Sequence, residues 1–405
     1  MLALTVTALL LAIGAPAAPK VEAIPDAGPV LAGDRVIWAV SPDEEAQLRV
    51  WERGQPVKTV YRVGPSPTER DWALSELAAS GSRVGFNRSW TACPASTPKK
   101  PKGEYVFGPN CYRVGADTFV GDIGASFGAL PRKRCPNDRS GDFDVDGDVV
   151  AYIETNCGER GPEVARVVAL RLDEGRPPTV LREAMTASST CCEGARLAGR
   201  FLAWSEGALQ RTASVVVHDL EKGGTSYRAD PTAARDYSGR LKFDVQRDGK
   251  LLVAQQVPTR GVMFAHLAWF SPAEPTPHDL SFRAYIPEDA NWDGVRLARD
   301  EFLVERLLDS GRSALVIADL KGQELTRLAT FRFPMTERWG DYDFDGNRAV
   351  WAERRTTKTS AVHCAPAFTN CPLREDGWIT IFEASRRDGW QRRPIARAPF
   401  TFYTR

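Results

Sequence analysis

One short pattern returns along the whole chain and limits what it can fold into more than any other feature. Its first copy, Val30–Val40, reads VLAGDRVIWAV: an apolar run, a Gly33-Asp34 turn, and a second apolar run containing an aromatic. Gly-Asp between two strand-like runs is a hairpin signal, because the tight turn needs a positive φ that Gly takes at no steric cost. The second run, Val36-Ile37-Trp38, does not alternate with polar residues. That predicts a strand buried on both faces. Six further copies align on the turn, at Gly81, Gly147, Gly199, Asp248, Arg299 and Gly346, with steps of 48, 66, 52, 49, 51 and 47 residues. A strand-type repeat with a period of roughly 40–50 residues is the signature of propeller blades. The pattern therefore predicts an all-β chain: a single seven-bladed β-propeller with four-stranded antiparallel blades.

The strands expected outside each opening hairpin follow the same order. In the first copy they are Gln47–Glu52 and Val57–Val63; in the fourth, Ser214–Leu220 and Thr225–Ala229. The second copy is the least regular, with strands expected at Cys111–Val114 and Thr118–Asp122. No stretch carries a helical period of useful length. A propeller spends a length of 405 residues on one ring, so residues 19–405 are assigned to it. Residues 1–18 read as a secretory signal: an apolar run over Leu2–Ile13, then the small-residue site Ala15-Pro16-Ala17. The run lacks a preceding Lys or Arg, and it is shorter than the ~20 residues a membrane span needs. The expected location is outside the cytoplasm: extracellular, periplasmic or cell-surface. With 53 basic against 52 acidic residues, no global field points to nucleic acid or to an anionic membrane. No other segment is long enough to span a membrane, and a monomer is expected.

The repeated unit resembles the TolB-like and WD-repeat-like β-propellers. The segment that carries the resemblance best is Phe243–Val253, FDVQRDGKLLV, which is similar to the Ser-Pro-Asp-Gly-Lys core of those repeats. The resemblance implies the architecture and no more. No copy has the full Trp-Ser-Pro-Asp-Gly string, and no partner contacts carry over.

In a four-stranded antiparallel blade, the loop between strands 2 and 3 and the link to the next blade emerge on one face. All eight cysteines are placed there: Cys93, Cys111, Cys157, Cys364 and Cys371 in strand 2–3 loops, and Cys135, Cys191 and Cys192 in links. An even count fits an exported, disulfide-bonded protein. The expected bridges are Cys93–Cys111 and Cys364–Cys371, with Cys135, Cys157, Cys191 and Cys192 pairing among themselves. The long insertions 90–110 and 355–376 lie on the same face, and loops on a rigid scaffold are where binding usually resides.

Two segments carry carboxylates at alternate positions before a Gly turn: Asp142, Asp144 and Asp146, and Asp341, Asp343 and Asp345. Calcium needs several oxygens around one centre, so these six are the candidate metal ligands. Neither segment has Glu at the twelfth loop position; Ile153 and Ala352 stand there. The other reading is a polar lining of the channel. Gly124-Ala125-Ser126-Phe127-Gly128 matches a nucleophile elbow, but that elbow needs a strand-to-helix turn in an alpha/beta sheet. The four histidines, His218, His266, His278 and His363, form no zinc spacing. The aromatics Trp38, Phe86, Tyr152, Trp204 and Trp351 occupy one repeated slot and are expected to pack between blades. Together these features favour an exported, non-catalytic scaffold that binds a protein or cell-envelope ligand through a disulfide-stapled loop face. The alternative is a propeller-type enzyme, a metal-assisted hydrolase or lyase using the channel carboxylates.

Overall fold

The computed structural model describes residues 23–42, 45–64, 69–92, 112–131, 142–156, 164–185, 191–207, 213–231, 241–257, 264–285, 294–308, 312–332, 338–361 and 373–404. Cys93, Cys111, Cys135, Cys157, Cys364, Cys371 and His363 lie outside them, as do residues 1–22. The described residues form 28 strands and no α-helix. None holds a helix long and apolar enough to cross a membrane. The fold is all-β, built from four-stranded antiparallel sheets.

The strands fall into consecutive sets of four, labelled here unit 1 (25–63), unit 2 (69–129), unit 3 (143–185), unit 4 (191–229), unit 5 (241–285), unit 6 (296–332) and unit 7 (338–404). Within a unit, each strand pairs with the next in sequence. Units 5 and 6 are joined into one eight-stranded sheet by a single bridge, Ala284 to Arg306. Each first hairpin turns where the repeat places it. Gly33, Gly81, Gly147, Gly199 and Gly346 all have positive φ. In unit 6 the turn residues are Arg299 and Asp300, also left-handed at φ 55° and 62°. This geometry is uncommon outside Gly. Partners in the flanking units hold both: Arg299 Nη1 donates to Asn347 Oδ1 at 3.0 Å, and Lys250 Nζ to Asp300 Oδ1 at 2.7 Å.

The core is a series of apolar layers between units rather than one central cluster. Ile37, Ala39 and Leu48 of unit 1 pack on Leu74, Val84 and Phe86 of unit 2. Corresponding clusters join units 2 and 3, 3 and 4, 4 and 5, 5 and 6, and 6 and 7. A seventh joins the two ends of the chain: Leu31, Val36 and Trp38 of unit 1 pack on Val350, Ile379, Ile381 and Phe400 of unit 7. The first strands of successive units are in contact in the same order, and that of unit 7 contacts that of unit 1. This explains the unalternated apolar second strands, which have a sheet on each side. Trp38, Phe86, Tyr152, Trp204 and Trp351 are all buried in these layers.

One expected element differs. In unit 2, Cys111–Val114 and Thr118–Asp122 were expected as separate strands; one continuous strand, Tyr112–Asp122, runs through both. Gly115 reads as a breaker, yet its backbone pairs with Trp90 and the ladder continues past a bulge. The fourth strand is Gly128–Ala129. In unit 7, the fourth strand runs unbroken over Arg393–Thr404 and pairs only with the strand before it. Among the described residues, neither terminal strand enters the sheet at the other end of the chain.

Candidate functional site on the first strands

The first strand of unit 3, Phe143–Asp146, alternates buried apolar residues with aspartates. Strand geometry sends Asp142, Asp144 and Asp146 to one side, where they meet the first strand of unit 4, Cys191–Ala198. Asp142 Oδ2 accepts from Gly194 N at 2.8 Å, Asp144 Oδ2 from Leu197 N at 2.8 Å, and Asp146 Oδ2 from Gly199 N at 2.5 Å. A first strand has a free edge whose N–H groups need acceptors, and the carboxylates of the preceding unit supply them. The pattern recurs in alternate units. Asp244 of unit 5 accepts from Leu297 N of unit 6 at 2.7 Å, and Asp343 of unit 7 from Leu31 N of unit 1 at 2.8 Å.

In units 4 and 6, arginine stands where units 3, 5 and 7 have aspartate. The resulting order is Asp144, Arg196, Asp244, Arg296, Asp343. Arg296 Nε lies 3.3 Å from Asp343 Oδ1. Burial pushes the Asp144 carboxyl up to about 6, against the pull of Arg196 and of its two backbone donors. Burial likewise raises Asp244, which Arg296 and Arg196 oppose, and Asp343, which Arg296 opposes. Desolvation wins because each guanidinium is shared between carboxylates that are largely, though not fully, withdrawn from water.

The face carrying the strand 1–2 and 3–4 turns is tied together across units. Ser80 Oγ and Arg247 Nη2 donate to Asp146 Oδ1 at 2.6 and 3.0 Å, and Arg83 Nη2 to Asp148 Oδ1 at 2.9 Å. Arg386 pairs with Glu301 across units 7 and 6. The junction of units 7 and 1 centres on Glu383, whose side chain is 2% exposed. Arg348 Nε donates to its Oε1 at 2.8 Å, and Arg393, which opens the fourth strand of unit 7, and Arg53, in the last turn of unit 1, reach Oε2 at 3.0 and 3.4 Å. Arg348 also donates to Gly33 O at 2.6 Å, and Arg53 pairs with Asp388 at 2.9 Å.

Of the six candidate metal ligands, Asp142, Asp144, Asp146 and Asp343 are the bridging carboxylates just described. Asp345 instead caps its own turn, accepting from Asn347 N and Arg348 N at 2.7 Å. Among the described residues, no three His, Cys, Asp or Glu side chains are grouped to hold a metal ion. Cys191 and Cys192 begin the first strand of unit 4 instead of lying in the link before it. Ser126 is exposed between the last two strands of unit 2, and no helix follows it. Its surroundings lack the elbow geometry. His278 stacks on Trp269, with centroids 3.9 Å apart. Sequence reasoning missed Arg196, Asp244, Arg296 and Glu383. The available signal for the first three was a lone charge within an apolar strand, as in Ala195-Arg196-Leu197 and Phe243-Asp244-Val245.

No family model and no curated protein matches the chain. Solved structures do. One, from a study of two prolyl endopeptidases, is 14% identical with a TM-score of 0.48, covering 93% of this chain and 48% of the other. The β-propeller domain of the Trilobed protease from Pyrococcus furiosus, which has an open velcro topology, is 10% identical with a TM-score of 0.44, covering 80% and 95%. An acylaminoacyl peptidase from Pyrococcus horikoshii is 9% identical with a TM-score of 0.47, covering 87% and 57%. The chain thus spans about half the length of the first of these.

Proposed function

We propose that the seven units are the blades of a closed β-propeller, and that this ring is a rigid binding scaffold working through the face opposite its short turns. The observation that carries the reading is the difference between the two faces. The turn face is short and cross-linked by ion pairs between units. On the other face, unit 7 continues its ladder through Ala361–Leu373 and Leu373–Thr404. Unit 2 continues to Ala92–Tyr112. The second strand of unit 1, between them, ends at Val40. The longer hairpins of units 7 and 2 thus flank a shorter unit 1 and lead in sequence into the chain's longest insertions. The cysteines assigned to that face would hold those insertions in fixed shapes and reduce the entropy lost on binding.

The enzyme alternative draws on Asp144, a channel carboxyl titrating near neutrality. The scaffold reading is preferred because the same carboxylates already accept the edge N–H groups of neighbouring strands. Photo-crosslinking side chains placed at Lys358 on the raised face and at Ser82 on the turn face, in cells that export the protein, separate the two faces. Covalent adducts are expected at 358 and not at 82. Adducts at 82 alone would overturn the assignment of the binding face.

A further inference from the structure

Units 4 and 7 carry the same pair on the second strand, a buried tryptophan followed two residues on by glutamate: Trp204 with Glu206, and Trp351 with Glu353. A buried indole N–H needs an acceptor, and the glutamate supplies it. Trp204 Nε1 donates to Glu206 Oε1 at 3.3 Å, and Trp351 Nε1 to Glu353 Oε1 at 2.8 Å. Among the described residues one arginine, Arg392, reaches Glu353, at 3.3 Å. Glu206 has two. Arg182, on the outer strand of unit 3, donates through Nε to Oε1 at 3.0 Å, and Arg228, on the outer strand of unit 4, donates through Nη2 to Oε2 at 2.7 Å. That is one arginine more than the same pair uses in unit 7.

Because both guanidiniums are fixed to one carboxylate, they lie side by side across the seam between units 3 and 4. Arg228 is held a second time by the buried Ser214, whose Oγ accepts from Nη1 at 2.5 Å. Arg182 bonds only through Nε; its Nη1 and Nη2 have no partner among the described residues. Both arginine side chains are 48% exposed, against 13% for Glu206. Burial would raise the Glu206 carboxyl, but bonds from Arg228 and Trp204 and the charge of Arg182 hold it below its usual range. Glu206 is therefore an anion beneath two cations, and one positive charge is left facing solvent. Arg200, at the first turn of the same unit, shows the opposite balance, one guanidinium paired with both Asp219 and Glu221.

We infer that Arg182 and Arg228 form an oxyanion-binding site on the seam between units 3 and 4. The ligand group supplies the negative charge that Glu206 leaves uncompensated. Arginine presents N–H donors in a planar fork that matches carboxylate and phosphate oxygens alike. Glu206 and Ser214 already hold the two forks, so little side-chain freedom is lost on binding. Two sources share that chemistry, a phosphate ester and a carboxylate. The site stands on its own contacts and not on the scaffold reading: the crosslinks at 358 can fail while this site binds, and the reverse.

The test follows the Nε–H resonances of ¹⁵N-arginine-labelled protein, with sodium phosphate and sodium acetate as probes and sodium chloride holding the ionic strength constant. Arg182→Lys, Arg228→Lys and Arg200→Lys assign the three signals by loss. The Arg182 and Arg228 signals are expected to shift saturably with a common midpoint, while the Arg200 signal does not. The probe that saturates at the lower concentration tells whether the group is a phosphate or a carboxylate. Arg228→Gln leaves Glu206 with Trp204 and one arginine, the set that Glu353 has in unit 7, so the fold is kept. The midpoint at Arg182 should then rise about tenfold, the loss of one charge-assisted hydrogen bond. A midpoint unchanged by Arg228→Gln overturns the site. So does an Arg182 response to both probes no different from that of Arg200, the mark of an adventitious ion only.

Discussion

Replacing Glu383 with alanine is expected to lower the free energy of unfolding by about 3–5 kcal/mol, the cost of breaking a buried ion pair by removing one partner. Glu383 is 1% exposed and serves Arg53, Arg348 and Arg393 together. Its loss leaves Arg348, whose side chain is 12% exposed, without its carboxylate in the wall between units 7 and 1. Among the described residues no strand is exchanged across that junction, so side-chain contacts carry the load. Arg53→Ala is the matching control. Arg53 is 38% exposed, and an exposed pair contributes about 0–1 kcal/mol. Denaturant titration of the two variants should therefore separate them clearly. Equal, small losses would mean that the junction does not depend on Glu383.

Acidification from pH 7.5 to 5 is expected to stabilise the fold. Asp144 titrates near 6 when folded, against about 3.9 in an unfolded chain. A carboxyl whose folded pKa is raised contributes stability that is full below the unfolded pKa and is lost as pH rises through the folded one. Across this window Asp144 alone supplies about 1–1.5 kcal/mol, and Asp244 and Asp343 are raised in the same direction. His218 opposes them: burial lowers its pKa, so its contribution falls as pH drops. Asp122 and Asp388, held low by hydrogen bonds to Ser82 and Ser385, lose their contribution only at more acid pH. Asp144→Asn keeps an oxygen for Leu197 N, and Arg196 retains Asp244. The variant should be more stable than the native protein at pH 7.5 and show a flatter slope between 5 and 7.5. A slope unchanged by the substitution would place the titration elsewhere.

Much of the fold is legible because its determinants are local. The turn at Gly33 and the run Val36-Ile37-Trp38 are enough to specify a hairpin buried on both sides, and the same reading holds at each copy. Unit 2 is misread where local preference and long-range pairing disagree. Gly115 has the composition of a turn, but strand propensity is subordinate to the cross-strand partner. The site is less legible. Alternation places Asp142, Asp144 and Asp146 on one side, yet their acceptor role depends on backbone N–H groups about 53 residues away. Glu383 and Arg53 are 330 residues apart, and nothing in either local pattern names the other.

The central claim is that carboxylates on the first strands fasten each alternate unit to the next, and that the last fastening joins unit 7 to unit 1. Amide hydrogen exchange at residue resolution, comparing the native protein with Asp343→Ala, tests it most directly. Asp343 and Leu31 are 312 residues apart, and the carboxylate accepts the Leu31 N–H. Losing one such bond to a charged group, worth about 1.5–3 kcal/mol, should speed exchange at Leu31 at least tenfold. Leu197 and Leu297, held by Asp144 and Asp244, should keep their native rates. A Leu31 amide that exchanges at the same rate in both proteins would contradict the fastening of unit 7 to unit 1.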